Sequence, residues 1–202
     1  MTRKNQIKFY NRAPDLELED MQGQPIRLSS LWQQRPVLLA FTRHFGCPQC
    51  KEMLAELVAG RERISQAGLN LAVVLQGAAA ESAIFAAEFA PGLLCLADPR
   101  REAYRAFGLE RGDLFQTFLN PQVWKATRAA QEKGFKVQTP PEGQDAMQMS
   151  GVFIVATDGR VVLPYYYDHI ADHPSLDLLL SGVFSTRWDR DFNGPLGGDI
   201  QE

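Results

Sequence analysis

Apolar positions along this 202-residue chain follow two rhythms, one of period two and one of period three to four. In residues 15–31, Leu16 and Leu18 alternate with polar neighbours, Gln22-Gly23 supplies a turn, and Ile26 and Leu28 alternate again, which predicts a short hairpin. Residues 37–41 form an unbroken apolar run behind Pro36, the pattern of a strand buried on both faces of a sheet. From Pro48 to about Gln66, Met53, Leu54, Leu57, Val58 and Ile64 return at helical spacing, and Gly68 stands where a helix commonly stops. A second buried strand is predicted over 69–75, a helix over 79–89, a short strand over 93–96, and a helix over 100–107 opened by Asp98-Pro99 and closed by Gly108. Strand and helix alternate, so the pattern predicts an α/β sheet with parallel pairs.

The alternation stops between Gly112 and Met149. That stretch, with Phe115, Phe118, Val123 and Trp124, reads as a helical insertion ending in the loop Thr139-Pro140-Pro141. Regular structure resumes with strands over 152–156 and 161–167 around an Asp158-Gly159 turn, an antiparallel hairpin. A last helix is predicted from Ser175 to about Phe184, capped by Asp172 or Ser175. The organisation expected is an extension over 1–12, one domain over 13–184 carrying the insertion at about 112–149, and a tail over 185–202.

Composition narrows the class of function. Apolar residues make up 45% of the chain, enough for a packed core, and 24 acidic against 21 basic residues leave a formal charge of -3. No basic stripe offers the counterion release that drives nucleic-acid binding, so no nucleic-acid partner is expected. Arg3, Lys4 and Lys8 are not followed by the apolar run of a secretory signal, and no stretch approaches the roughly 20 apolar residues of a membrane span. A cytoplasmic protein with no membrane partner is the expectation.

Three cysteines are too few for a disulfide framework, so the close pair Cys47-Pro48-Gln49-Cys50 reads as redox-active or metal-binding. A buried strand running into this motif and then into an amphipathic helix puts both thiols at a helix N-terminus, where free N–H groups and the helix dipole favour an anion. Pro48 suits the first helical position because it has no N–H to leave unpaired. Residues three apart are neighbours on a helix, so the two sulfurs can close a disulfide without moving secondary structure. Arg43 and His44 are read as adding positive charge that stabilises a thiolate. Cys47, ahead of the first helical residue, is expected to be the more exposed sulfur with the lower pKa, and Cys50 to be shielded by the turn. Cys95, within Leu93-Leu94-Cys95-Leu96, is read as core. A zinc site using His169 and His173 is the competing reading, but more than a hundred residues separate that pair from the cysteines, and no metal or cofactor is expected.

The order of elements resembles the thioredoxin-like superfamily, in particular AhpC/TSA-type peroxiredoxin-like proteins carrying a Cys-x-x-Cys. The resemblance rests on Ala13-Pro14-Asp15-Leu16, the run from Val37 to Arg43, Gly46-Cys47-Pro48-Gln49-Cys50, Leu96-Ala97-Asp98-Pro99 with Tyr104 and Gly108, and Gly151-Val152-Phe153-Ile154-Val155 with Asp158-Gly159. It implies a thioredoxin-like fold: a central mixed sheet flanked by helices, here with an N-terminal hairpin and a helical insertion. It also implies a thiol-dependent antioxidant enzyme that reduces a peroxide or disulfide and is reset by an external dithiol donor such as a thioredoxin or glutathione system, with a homodimer as one assembly. The chain departs from the usual peroxiredoxin pattern, since His44 stands three residues before Cys47 where a Thr or Ser is usual, and Ser150-Gly151 occupies the place of the late-strand Arg. It lacks the proline that faces the cysteine pair in thioredoxins.

Two readings of function stay open on sequence. In one, Cys47 attacks as thiolate and Cys50 resolves, with Arg43 and either Thr42 or His44 orienting the oxidant. In the other, the same disulfide is a switch, and residues 112–149 with Tyr165, Tyr166 and Tyr167 form a contact surface. The family register also permits Cys50, rather than Cys47, to match the peroxidatic position.

Overall fold

The computed structural model describes residues 5–181. The expected tail and the end of the last predicted helix, including Phe184, lie outside the described residues. The elements are β1 (Glu17–Asp20), β2 (Pro25–Arg27), β3 (Val37–Phe41), α1 (Pro48–Gln66), β4 (Asn70–Leu75), α2 (Ala79–Phe89), β5 (Leu94–Ala97), α3 (Glu102–Ala106), α4 (Pro121–Glu132), β6 (Gly151–Val155), β7 (Val161–Tyr166) and α5 (Leu176–Ser181). The strands form one mixed sheet in the order β2-β1-β5-β4-β3-β6-β7. β3, β4 and β5 run parallel, whereas β1, β6 and β7 join by antiparallel pairing.

Strand β3 lies at the centre, and its side chains divide between two cores because successive residues point to opposite faces. Leu38 and Ala40 pack with Met53, Leu54 and Leu57 of α1 and Phe85 of α2. Val37, Leu39 and Phe41 pack with Tyr104, Phe107 and Phe153 on the other face. The unbroken apolar run seen in the sequence is the consequence of having two buried faces. Helix α1 ends at Gly68 (φ +86°), where the Leu69 N–H reaches the Ile64 carbonyl at 3.1 Å and the Gly68 N–H reaches that of Ser65 at 3.0 Å. Those two bonds make a Schellman stop, which favours glycine at the left-handed position.

Several boundaries differ from the sequence reading. The helix predicted over 100–107 is only Glu102–Ala106, because Arg101 takes a left-handed conformation (φ +54°) and the buried Asp98 carboxylate accepts the N–H groups of Glu102 and Ala103, each at 2.8 Å. Ser175 is the residue near α5 whose hydroxyl accepts an N–H of its first turn, from Leu178 at 3.2 Å, while Asp172 accepts from the Asp168 N–H at 2.9 Å. The insertion holds a π-helical turn at Phe115–Leu119 and then α4, opened by Asn120, whose side chain accepts from the Gln122 N–H at 2.9 Å. α4 packs against α1 and buries Val123 and Ala130.

The tyrosine run is not a free contact surface. Tyr167 is buried, the Tyr166 hydroxyl donates to the Phe107 carbonyl at 2.7 Å, and the Tyr165 hydroxyl donates to Asp172 at 3.1 Å. Among the described residues no helix is long and apolar enough to cross a membrane.

Candidate active site

The chain leaves β3 at Phe41, crosses Thr42 to Gly46 and enters α1 at Pro48. Cys47 is the N-cap, with extended backbone (φ -79°, ψ 115°), and its carbonyl accepts the Lys51 N–H at 3.2 Å as the first turn closes. Cys50 sits inside that turn. Its sulfur accepts the backbone N–H of Arg43 at 3.2 Å. All three cysteines are unlinked and buried.

Arg43 organises the site. Its Nη1 donates to the Cys47 sulfur at 3.4 Å, its Nε donates to the Gln148 carbonyl at 3.0 Å, and its Nη2 donates to the Ala146 carbonyl. The guanidinium is thus fixed by two backbone acceptors from the segment that precedes β6. Gln148 is held in turn, its Nε2 donating to the Leu109 carbonyl at 2.8 Å. A planar group anchored at two corners presents its third corner to the sulfur with little freedom to move.

The two thiols are driven apart in acidity. Burial pushes Cys47 up, but hydrogen bonding from the Cys50 side chain, the Arg43 charge and the Cys50 N–H outweigh burial and hold it at about 6. Cys50 is pushed well above the usual thiol range by burial, by its hydrogen bond to Cys47 and by the Cys47 charge. At neutral pH the arrangement is one thiolate beside one thiol. The expected difference in exposure does not hold, since Cys47 is 1% exposed and Cys50 3%. What distinguishes them is that Cys47 lines a cleft and Cys50 stands behind it.

Two sequence-suggested helpers are engaged differently, although His44 lines the same cleft as Cys47. The Thr42 hydroxyl donates to the Val74 carbonyl at 3.3 Å. Burial, with the Arg43 and Lys51 charges, lowers the His44 pKa to about 4, so the ring is neutral at pH 7 and supplies no positive charge. Its Nδ1 is buried without a hydrogen-bond partner. Cys95 is core, its pKa pushed up to about 12 by burial. His169 meets Gln122 Oε1 at 2.7 Å and His173 packs near the Tyr167 ring, neither beside the cysteines. Among the described residues no three His, Cys, Asp or Glu side chains form a cluster able to hold a metal.

Other participants were not foreseen. Gln49, the inner residue of the motif, places its Oε1 3.4 Å from the Cys47 sulfur, a hydrogen bond made only while that thiol is protonated, and donates from Nε2 to Thr127 Oγ1 of α4 at 2.5 Å. The Gln138 N–H donates to the Gly46 carbonyl at 3.0 Å, and Gln138 Oε1 accepts from Lys51 Nζ. A Cβ on Gly46 would lie 2.0 Å from the Gln138 carbonyl oxygen, so only glycine permits this approach. The one available signal was the length of the insertion, since long loops in compact domains are commonly functional.

The profile of the AhpC/TSA family matches residues 10–163, more than half of the chain. The chain belongs to the AhpC/TSA family. Among the relatives of this AhpC/TSA protein, prostamide/prostaglandin F synthase of Salmo salar is 27% identical over 164 residues, spanning 79% of this chain and 80% of its own. Peroxiredoxin-like 2C of Bos taurus is 28% identical over 180 residues, spanning 84% and 77%. The crystal structure of peroxidoxin BcpB from Mycobacterium tuberculosis superposes with a TM-score of 0.60 at 20% identity, covering 82% of this chain and 90% of that one. The family membership and the fold establish a peroxiredoxin-like thiol redox protein.

Proposed function

We propose that this AhpC/TSA protein reduces peroxides, with Cys47 as the attacking sulfur and Cys50 as the resolving one. The observation that carries the reading is the placement of the two thiols: the Cys47 sulfur faces the cleft and is approached by the Arg43 guanidinium at 3.4 Å, and Cys50 lies behind it, so that hydrogen bonding from Cys50 and the Arg43 charge lower the Cys47 pKa while burial and the Cys47 charge raise that of Cys50. In the first step the Cys47 thiolate attacks one peroxide oxygen. An S–O bond forms, the O–O bond breaks, sulfur is oxidised by two electrons, and the departing alkoxide or hydroxide takes a proton, leaving Cys47 as sulfenic acid. Arg43 faces the oxygen on which charge develops. In the second step the Cys50 sulfur displaces the sulfenic hydroxyl as water, giving the Cys47–Cys50 disulfide, and an external dithiol returns both sulfurs to the reduced state as its own pair becomes a disulfide.

Burial of Cys47 favours a small electrophile over a folded protein disulfide, because the turn carrying Cys47 is covered by the Gly46–Gln138 backbone contact. The test compares the parent with Cys47→Ser and Cys50→Ser under hydrogen peroxide and an organic hydroperoxide, with thioredoxin and glutathione supplied in turn as donor. Multiple turnovers in the parent, a single trapped sulfenic acid in Cys50→Ser and no first step in Cys47→Ser are expected. Retention of the first step in Cys47→Ser with its loss in Cys50→Ser would reverse the two roles.

A further inference from the structure

The insertion does more than cover the cysteine turn. Through Thr127 of α4 it reaches the Gln49 amide, which has Oε1 at the Cys47 sulfur and Nε2 on the Thr127 hydroxyl. Gln49 and Cys47 are each 1% exposed, so little water reaches either one and their polar atoms depend on each other for partners.

This arrangement suits only one form of the sulfur. While Cys47 is a thiol, its proton lies on Oε1 and both ends of the amide are paired. Once Cys47 is a thiolate that proton is gone, and a carbonyl oxygen at 3.4 Å faces an anion, two acceptors with no hydrogen between them. A glutamine relieves this without moving its backbone: its last side-chain torsion is broad and roughly two-fold, and half a turn about it exchanges oxygen for nitrogen. The far end tolerates the exchange because Thr127 presents a hydroxyl, which accepts from Nε2 in one orientation and donates to Oε1 in the other.

We infer that Gln49 is a two-way partner of Cys47: its amide turns over when the sulfur ionises, accepting the S–H of the thiol and donating Nε2–H to the thiolate, with Thr127 as the hydroxyl pivot on α4. Gln49 thereby joins Arg43 among the groups that touch the reacting sulfur, and Thr127 is a positioning residue that acts through it. A fixed N–H donor would leave the thiol proton unpaired, and a fixed carbonyl would oppose the thiolate. The turning amide serves both forms and favours the thiolate, because hydrogen bonds to ionised groups are roughly twice as strong as neutral ones. This role rests on the Cys47 thiolate of the reading above and is independent of the oxidant.

The other titratable or charged groups around the sulfur are Arg43 and His44 of the turn, Cys50 and Lys51 of α1, Tyr167 beyond β7 and Arg128 of α4. Burial keeps Cys50 and Tyr167 above the range in which Cys47 ionises and, with the Arg43 and Lys51 charges, holds His44 below it at about 4. A change that tracks the Cys47 midpoint therefore reports on Cys47.

The experiment uses full-length protein. Cys47 alkylation by iodoacetamide against pH gives the midpoint of the parent and of Gln49→Met, which keeps the length of the side chain and removes both polar atoms. The midpoint is expected to rise by about half to one pH unit, which makes Cys47 about a three- to tenfold weaker acid. A second measurement needs no variant at Gln49. In isotopically labelled parent, NMR cross-relaxation from the Gln49 Nε2 protons should reach the Thr127 methyl below the midpoint and the Cys47 β-protons above it. In Cys47→Ser, whose hydroxyl does not ionise in this range, the Thr127 contact should persist throughout. A midpoint that falls in Gln49→Met marks a carbonyl fixed on the sulfur and overturns the inference, as does an unmoved midpoint or an amide that keeps its Thr127 contact at every pH in the parent. A parent with no Cys47 midpoint below the ordinary thiol range overturns the thiolate reading as well.

Discussion

Replacing Arg43 with Met removes the charge that touches the Cys47 sulfur while keeping a side chain of comparable length. A hydrogen bond involving a charged group contributes roughly 1.5–3 kcal/mol, and about 1.4 kcal/mol corresponds to one pKa unit, so the Cys47 pKa should climb from about 6 to between roughly 7 and 8. At pH 7 the thiolate fraction then drops from about nine-tenths to between about half and a tenth. Alkylation by iodoacetamide followed against pH reads both numbers: in the parent the rate should level off above pH 6 to 7, and in Arg43→Met it should keep rising through pH 8. The substitution also strips the Ala146 and Gln148 carbonyls of their donor, so the thermal midpoint should fall, and reactivity is compared only where both proteins are folded. Arg43→Lys, with the charge but without the planar fork, should lie between the two. An Arg43→Met protein that is folded and still shows a Cys47 midpoint of about 6 would refute the assignment of thiolate stabilisation to Arg43.

Two further expectations follow from the same turn. His44 has a folded-state pKa of about 4 against an ordinary 6.5, so the unfolded chain takes up its proton first on acidification and stability is lost as pH falls from 6.5 through 4. Denaturant unfolding should show the parent losing about 2–3 kcal/mol more than His44→Asn between pH 7 and pH 4.5, and equal losses in the two would rule this source out. Gly46→Ala sets a methyl 2.0 Å from the Gln138 carbonyl oxygen, so the loop must lift; a cost of about 1–3 kcal/mol and faster alkylation of Cys47 by bulky reagents are expected. An unchanged alkylation rate would mean that this contact does not cover the cysteine.

The parts of the site built by local chemistry were legible in the chain, and the parts built by distant chain were not. Val37 to Phe41 as a doubly buried strand, Pro48 opening a helix and Gly68 closing it follow from apolar spacing and backbone preference, and these elements fall on the expected residues. The partners of Arg43 lie more than a hundred residues away and are backbone carbonyls, which carry no sequence signature. The neutrality of His44 is equally non-local, since it comes from burial and from the neighbouring Arg43 and Lys51 charges. Exposure misled for the same reason: a helix N-terminus is open until another segment covers it, and residues 137–140 cover this one. Neither period two nor period 3.6 could show that α4 would set Trp124 in the same cleft as Cys47, because a residue on the outer face of an amphipathic helix reads the same whether it faces solvent or a cleft.

The grip of Arg43 on Cys47 also sets a potential. A thiolate exists only in the reduced protein, so whatever stabilises it favours the dithiol over the disulfide. With Cys47 held well below the ordinary thiol range, the reduced form is favoured at pH 7 and the potential of the pair moves in the oxidising direction. The contact that readies the sulfur for attack therefore also makes its disulfide easier to open, and a donor of only moderate reducing power suffices to restart the cycle.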